Sequence, residues 1–397
     1  MSRSEKLLIF VLACIQFTHM MDFMIMMPLS DIIMESFSLN PLQFSWVVSS
    51  YTFGAGASSL VAAFYIDRFD RKKALWFIYM GFILGNVACA LSTNYIMLLA
   101  ARSISGLFGG VMGALILAII GDSIHQNRRS TAMGYVMGAF SIASVFGVPF
   151  GLFIAAKFQN WQMPFWFLSA ISLVVLWGIN KYIPSLSGHV EKARQNKRYQ
   201  VFLNIRNDPN QQRALLFSVM LMLGQFTIIP YLARYMVRNV GFEQSQLSLI
   251  YLVGGALTIF SSPFFGKLAD KKGKLLIYTI FGIINLVPIL TITHLGQVPI
   301  WMALCVTGLF FVTANARFVP AQSLITSVVE PAERGGFMSV NSSVQSITNG
   351  IAPLIAGLLV VETGPAKTMV GYNYAGYVAV VASLIAVYLA QKIKANY

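Results

Sequence analysis

Twelve long apolar runs constrain this chain more than any other feature. A helix needs about 20 mainly apolar residues to cross the hydrocarbon core of a bilayer. Runs of that kind fall at roughly 7–29, 43–66, 74–92, 96–120, 131–156, 163–183, 213–236, 246–268, 275–294, 299–323, 336–361 and 371–391. Of the 397 residues, 57% are hydrophobic and 11% charged, with a mean hydropathy of +0.69; soluble domains carry about 25% charged residues. In lipid each backbone polar group must be satisfied within its own segment. The predicted fold class is therefore an all-α integral membrane protein with twelve transmembrane helices. The start, MSRSEK followed by LLIFVLACIQF, has the charged and apolar regions of a signal peptide. No small-residue cleavage site follows, so it reads as a retained first helix.

Charge placement sets the expected topology. A net charge of +14 would suit a nucleic-acid binder, but the basic residues cluster in short segments between apolar runs. That is the pattern of cytoplasmic loops, and no nucleic-acid partner is expected. With the N-terminus inside, 22 of the 28 Lys and Arg fall on the inner side. The outer side holds Lys157, Arg234, Arg238 and Lys367, while Arg102 and Arg317 lie within apolar runs. The expectation is a multi-pass, monomeric protein of the inner (cytoplasmic) membrane, both termini cytoplasmic, surrounded by membrane lipids. Cys14, Cys89 and Cys305 are far apart and intramembrane, which fits neither a disulfide scaffold nor a metal site. No cofactor or metal is expected. HExxH, CxxC, GxSxG and phosphate-cradling motifs are all missing, so the chain is not expected to be an enzyme or an ATP-driven pump. A gradient would have to supply the energy.

The runs divide into two sets of six. Residues 184–212, with HVEKARQNKRYQ at their centre, form the one long hydrophilic connection. This predicts an N-terminal bundle over 1–183, a cytoplasmic linker over 184–212 and a C-terminal bundle over 213–397. The halves echo each other: AFYIDRFDRKKAL follows the second run and GKLADKKGKLL follows the eighth. Recurrence at the matching position suggests two bundles related by pseudo-symmetry, with a site near the midplane.

At these loops the chain resembles the major facilitator superfamily of secondary transporters, across essentially its whole length. The family loop pattern is Gly, three residues, Asp-Arg/Lys, one residue, Gly-Arg/Lys. The second copy matches with Gly266, Asp270, Lys271, Gly273 and Lys274. The first keeps Asp67, Arg68, Arg71 and Lys72 but has Ala63 and Asp70 at the usual glycine positions, so its tight turn is expected to be altered. The resemblance implies that these loops are gates clasping the ends of neighbouring helices. LLAARSISGLFGGVMGA resembles the fourth-helix motif of proton antiporters, with Arg102 followed by a glycine face of Gly106, Gly109 and Gly113. FGVPFGLFIAAKFQNWQMPF resembles the fifth-helix region of arabinose-efflux-like and drug:proton antiporters, with the glycine–proline spacing kept loosely at Gly138, Gly147, Pro149 and Gly151. PAERGGFMSVNSSVQSITNGIAPLIAG looks like the loop and eleventh helix of efflux permeases.

Charged groups inside the spans are the candidate functional residues. Asp22 is the one acidic residue well inside a run, and a charged carboxylate there costs several kcal/mol unless paired, protonated or wet. At 1.5 Å per residue it lies about 10 Å from the outer end of its helix, a depth that Arg102 can match. The resemblance makes the first and fourth helices neighbours, so an Asp22–Arg102 pair is expected at a proton-coupling site, with His19 one turn away. The competing reading is an Asp held for good in a structural ion pair. Arg317 is expected near the inner mouth. Asn315 is about 200° around the same helix, so the two cannot both face the cavity squarely. Polar stripes suggest a substrate cavity lined by Met26, Thr227, Tyr231, Asn315, Arg317, Gln345 and Asn349. The leading functional expectation is a proton-coupled exporter of small molecules. The alternatives are an uncoupled facilitator or symporter of sugars, organic anions or lipid-like molecules, and a non-transporting receptor or scaffold.

Overall fold

The structure, a computed structural model, describes residues 2–66, 69–186, 200–330 and 334–394. Among them, ten helical segments are long and apolar enough to cross a membrane. Two further long helices, Pro41–Tyr65 and Arg334–Leu359, complete the twelve expected spans. The fold is all-helical apart from a short antiparallel hairpin, Val361–Thr363 with Thr368–Val370, in the last connection.

Local chemistry explains where helices begin and bend. Ser2 and Glu5 form a capping box that opens the first helix, Arg3–Ile25, and Asn94 caps Tyr95–Ser123. The fifth span is irregular: Gln126–Ile142 passes through a π-helical turn, Ala143–Gly147, into Val148–Phe158. Pro149 follows immediately, and a proline has no N–H to continue the regular ladder behind it. Two spans of the second half are broken. Pro209–Phe226 stops and restarts as Ile229–Tyr235, and Lys274–Ile284 is separated from Leu286–Thr293 at Asn285.

The chain forms two compact units, Met1–Met26 with Ser50–Arg198, and Met27–Ser49 with Tyr199–Tyr397. Met27–Ser49 thus groups with the second unit, although sequence order placed it among the first six helices. In the first unit, the first span packs on the sixth and the third on the fourth; in the second unit, the seventh packs on the twelfth and the ninth on the tenth. The matching pairs bear out the internal repeat. Each unit has its own apolar core: Leu12, Ile15, Leu75, Phe82, Met112, Ile116 and Ile179 in the first, and Phe217, Leu221, Tyr278, Ile325 and Ala386 in the second. Large side chains such as Trp177, Phe260 and Leu358 are exposed, as suits a surface solvated by lipid rather than water.

Candidate functional site

Three arginines are among the largest fully buried side chains of the protein: Arg102, Arg234 and Arg317. A buried guanidinium must be compensated or the fold bears its desolvation cost. The three are handled in three different ways.

Arg102 pairs with one carboxylate. Its Nη1 donates to Asp22 Oδ1 at 2.7 Å, and both side chains are almost wholly excluded from solvent. The guanidinium also lies over the Tyr51 ring, 4.4 Å from its centroid, a favourable cation–π placement. Asp22 Oδ2 and Arg102 Nε are buried without partners. The close approach that makes this possible is glycine-dependent. A Cβ on Gly106 would meet the Tyr51 carbonyl oxygen at 2.0 Å, and one on Gly110 would meet that of Ala55 at 2.3 Å. Gly113 faces open space, so the small-residue contact uses Gly110 where the motif suggested Gly113. His19 packs edge-on against Phe82, and its Nδ1 is buried without a partner. Met26 is buried close by in sequence. Tyr51 is the residue here that sequence reasoning missed, because an aromatic ring in an apolar run carries no signal of a cation above it.

Arg234 pairs with three carboxylates. Its Nη1 donates to Asp31 Oδ1 at 2.7 Å, its Nε to Glu362 at 2.6 Å and its Nη2 to Glu35 at 3.2 Å. Arg238 donates to the same Asp31 and Glu35, Lys367 donates to Glu35 at 2.9 Å, and Gln244 also bonds Asp31. Three acids and three bases form a neutral network that fastens Ser30–Ser36 onto the second unit. Tyr231 bonds the start of the next helix, Pro41–Tyr65, through Ser45 and the Pro41 carbonyl. Burial pushes the Glu35 carboxyl up, but hydrogen bonds from Lys367 and Arg234 and the nearby charge of Arg238 outweigh it and leave the group below its ordinary value. Sequence reasoning placed Tyr231 in a cavity stripe and left Asp31, Glu35 and Glu362 aside. The available signal was that three of the four outer-side cations had to be balanced by something.

Among the described residues, Arg317 has no carboxylate partner. Its Nη1 donates to Ser383 Oγ at 3.0 Å, its Nη2 to Gln225 Oε1 at 3.2 Å, and its Nε has no partner. Ser383 stands halfway along Tyr372–Lys392, so the guanidinium reaches the middle of that helix. Asn315 points to other neighbours, Ser262 and the Thr258 carbonyl, as the helical angle required. Thr227 bonds back to the Leu223 carbonyl. Gln345 Nε2 and Asn349 Oδ1 are buried without partners.

The two repeated loops differ. In the first, Asp67 and Arg68 lie outside the described residues. Asp70 caps the Arg71–Ala90 helix through the Lys73 amide and accepts from the Ser185 hydroxyl and the Leu186 amide, each at 2.6 Å. Burial pushes its carboxyl up, but these hydrogen bonds win and hold it below its ordinary value. Arg71 pairs with Asp122 at 3.2 Å and Lys72 donates to the Asn180 carbonyl. In the second loop Gly273 has φ +100°, a conformation that favours glycine, between the helices ending at Lys272 and starting at Lys274. There Asp270 and Lys271 are exposed and Gly266 packs loosely. The residue at the missing glycine position of the first copy therefore works as a cap and clasp.

Comparison with known proteins agrees with this architecture. The sequence profile described as Major Facilitator Superfamily matches residues 12–316 and 214–394. The chain is 22% identical over 284 residues to the putative transporter AraJ of Escherichia coli (strain K12), covering 70% of each. It is 25% identical over 333 residues to the MFS-type transporter YtbD of Bacillus subtilis (strain 168), covering 79% of this chain and 82% of that one. Among solved structures, a bacterial homologue of the human lysosomal transporter Spinster superposes with a TM-score of 0.79 at 16% identity, covering 99% of this chain and 97% of that one. A D-xylose–proton symporter gives 0.78 at 16% identity, covering 96% of each. The twelve helices, the repeated loops and the profile match together place this chain in the Major Facilitator Superfamily of membrane transporters.

Proposed function

We propose that this transporter is a proton-coupled exporter of small molecules, with Asp22 as the group that takes up and releases the proton. The observation that carries the reading is the state of Asp22: sealed from solvent, one oxygen held by Arg102, the other without a partner. Protonation at the unpartnered oxygen breaks no existing hydrogen bond. It converts a neutral ion pair into a buried cation, which drives the site to rearrange. Alternating access of two repeat bundles turns that rearrangement into exposure to the other side. In this reading His19 relays the proton. Gln345 and Asn349, with their unpartnered buried atoms, contact substrate together with Arg317, while Met26, Thr227, Tyr231 and Asn315 shape the walls. Asp67, Arg68, Arg71, Gly266, Asp270, Lys271 and Lys274 form the gating loops. The protein acts as a monomer in the cytoplasmic membrane with both termini inside.

Proteoliposomes with and without an imposed pH gradient test this. Substrate movement by the native chain should follow the gradient, and Asp22→Asn should lose that response while still being produced and inserted. Gradient-driven transport by Asp22→Asn would overturn the assignment. A second reading, proton symport, draws support from the superposition on a D-xylose–proton symporter. The same experiment separates the two by the direction in which substrate moves relative to protons; movement indifferent to the gradient would mark an uncoupled facilitator.

A further inference from the structure

Buried charge in a membrane protein has to be answered by something, and in the second unit one charge is not. Arg317 is fully buried, its two bonded partners are a hydroxyl and a carboxamide, and its Nε is unpartnered. Among the described residues no carboxylate lies within ion-pair distance of it. The polar groups nearby are also incompletely used. The Tyr278 hydroxyl, in electrostatic range of Arg317, is buried without a partner. Asn285 accepts from Thr313 at 2.7 Å, but its Nδ2 donor is unpaired. Such orphaned groups are rare in native interiors and call for an explanation.

Backbone geometry points to the same place. Both broken spans of the second unit break beside these residues: Gln225 is the second-last residue of Pro209–Phe226, and Asn285 is the break between Lys274–Ile284 and Leu286–Thr293. Discontinuous helices in transporters mark substrate and ion sites. Gln225 is the half-buried partner of Arg317, whereas Ser383 is buried. A carboxamide oxygen in that position occupies the place of an anionic oxygen without supplying its charge.

We propose that Arg317 is the seat of the substrate's negative charge, and that the transported class is an organic anion whose carboxylate or phosphate displaces the Gln225 side chain from Arg317. This rests on the transporter reading above and deepens it by assigning the substrate's charge. The donors available to such an anion are the Arg317 guanidinium, the Ser383 hydroxyl, the Tyr278 hydroxyl and the Asn285 amide. The Asp22–Arg102 pair, neutral as a unit, does not select for charge. Arg317, lacking an acid, does.

The test is binding measured without any gradient, so that it stands apart from proton coupling. Full-length protein in nanodiscs of zwitterionic phosphatidylcholine, free of anionic lipid, is melted by scanning calorimetry with phenylphosphate, phenylacetate or phenyltrimethylammonium. The two anions should raise the melting temperature of the native chain and the cation should not. In Arg317→Met, which removes the charge while keeping an apolar chain of similar length, the apparent affinity for phenylphosphate should fall about 30-fold or more. Gln225→Glu supplies the missing charge internally and should abolish the response to both anions, which keeps the test open if Arg317→Met fails to fold. Because the readout is binding with no gradient imposed, a failure of proton coupling leaves this result readable. An anion response undiminished in Arg317→Met and Gln225→Glu, stabilisation by the cation instead, or no response of the native chain to either anion would overturn the proposal.

Discussion

Arg102 and Arg317 are equally excluded from solvent, yet among the described residues only Arg102 of the two has an acid beside it. The first unit neutralises its buried cation with Asp22, leaving one carboxylate oxygen unpartnered, and so holds a site suited to exchanging a proton. The second unit leaves its cation balanced by neutral dipoles alone, and so holds a site suited to receiving a charge from elsewhere. Arg234 shows the other extreme: surrounded by Asp31, Glu35 and Glu362, it is a structural fastening in which every guanidinium nitrogen donates to an acid. On the proposals above, the number of acids around a buried arginine separates holding, switching and binding within one chain.

The contrast breaks down if removing these groups has similar effects on stability. The largest loss is expected at Arg234→Ala, which leaves carboxylates facing one another with two cations to share. Taking away one partner of a buried ionic cluster costs about 3–5 kcal/mol, read from thermal or denaturant melting in nanodiscs. Arg234→Lys should recover part of it, since an ammonium cannot make the forked bonds of a guanidinium. Next comes Asp22→Ala, which strands Arg102 and should cost about 3 kcal/mol; the double variant Asp22→Ala with Arg102→Met should regain most of that stability without regaining coupling. Arg317→Met should instead melt at or above the native temperature, because it removes a charge that nothing ionic compensates. A large loss in Arg317→Met, equal to that of Arg234→Ala, would mean that Arg317 is a fastening after all.

The smallest effect is a pH dependence carried by Glu35. Its carboxyl is held below its ordinary value of 4.5 in the folded chain, so it binds a proton more readily when unfolded. Its contribution to stability is therefore fully present above 4.5 and is lost as pH falls through the lowered folded value. Melting temperature should be insensitive to this group from neutral pH down to about 5 and decline below 4.5. Lys367→Met, which removes the Lys367–Glu35 bond, should flatten that decline; an unchanged profile would count against Glu35 as the titrating group.

Much of the fold was legible because lipid enforces simple rules. Apolar runs of spanning length gave the twelve helices, and repetition of the Asp-rich and Lys-rich loops gave the pairing of two sets of six. The depth match of Asp22 with Arg102 needed only the rise of a helix and the resemblance of the chain. Other features were hidden for identifiable reasons. Asp70 read as a lost glycine because a cap is recognised by backbone geometry, whereas the pattern recorded only residue type. Gly113 read as part of the contact because it fits a helical face, but the neighbouring helix crosses at Gly106 and Gly110.

Hydropathy and charge order alone determined that this chain spans a membrane with twelve helices in two repeats, because burying backbone and charge in lipid leaves few alternatives. Only the tertiary structure decided which buried arginine meets an acid. Met27–Ser49, adjacent in sequence to the first unit, carries Asp31 and Glu35 to Arg234. Asp22 reaches Arg102, and nothing acidic reaches Arg317 among the described residues. Pairing between residues far apart in sequence is set by the packing of helices in three dimensions, and composition records only that the charges exist.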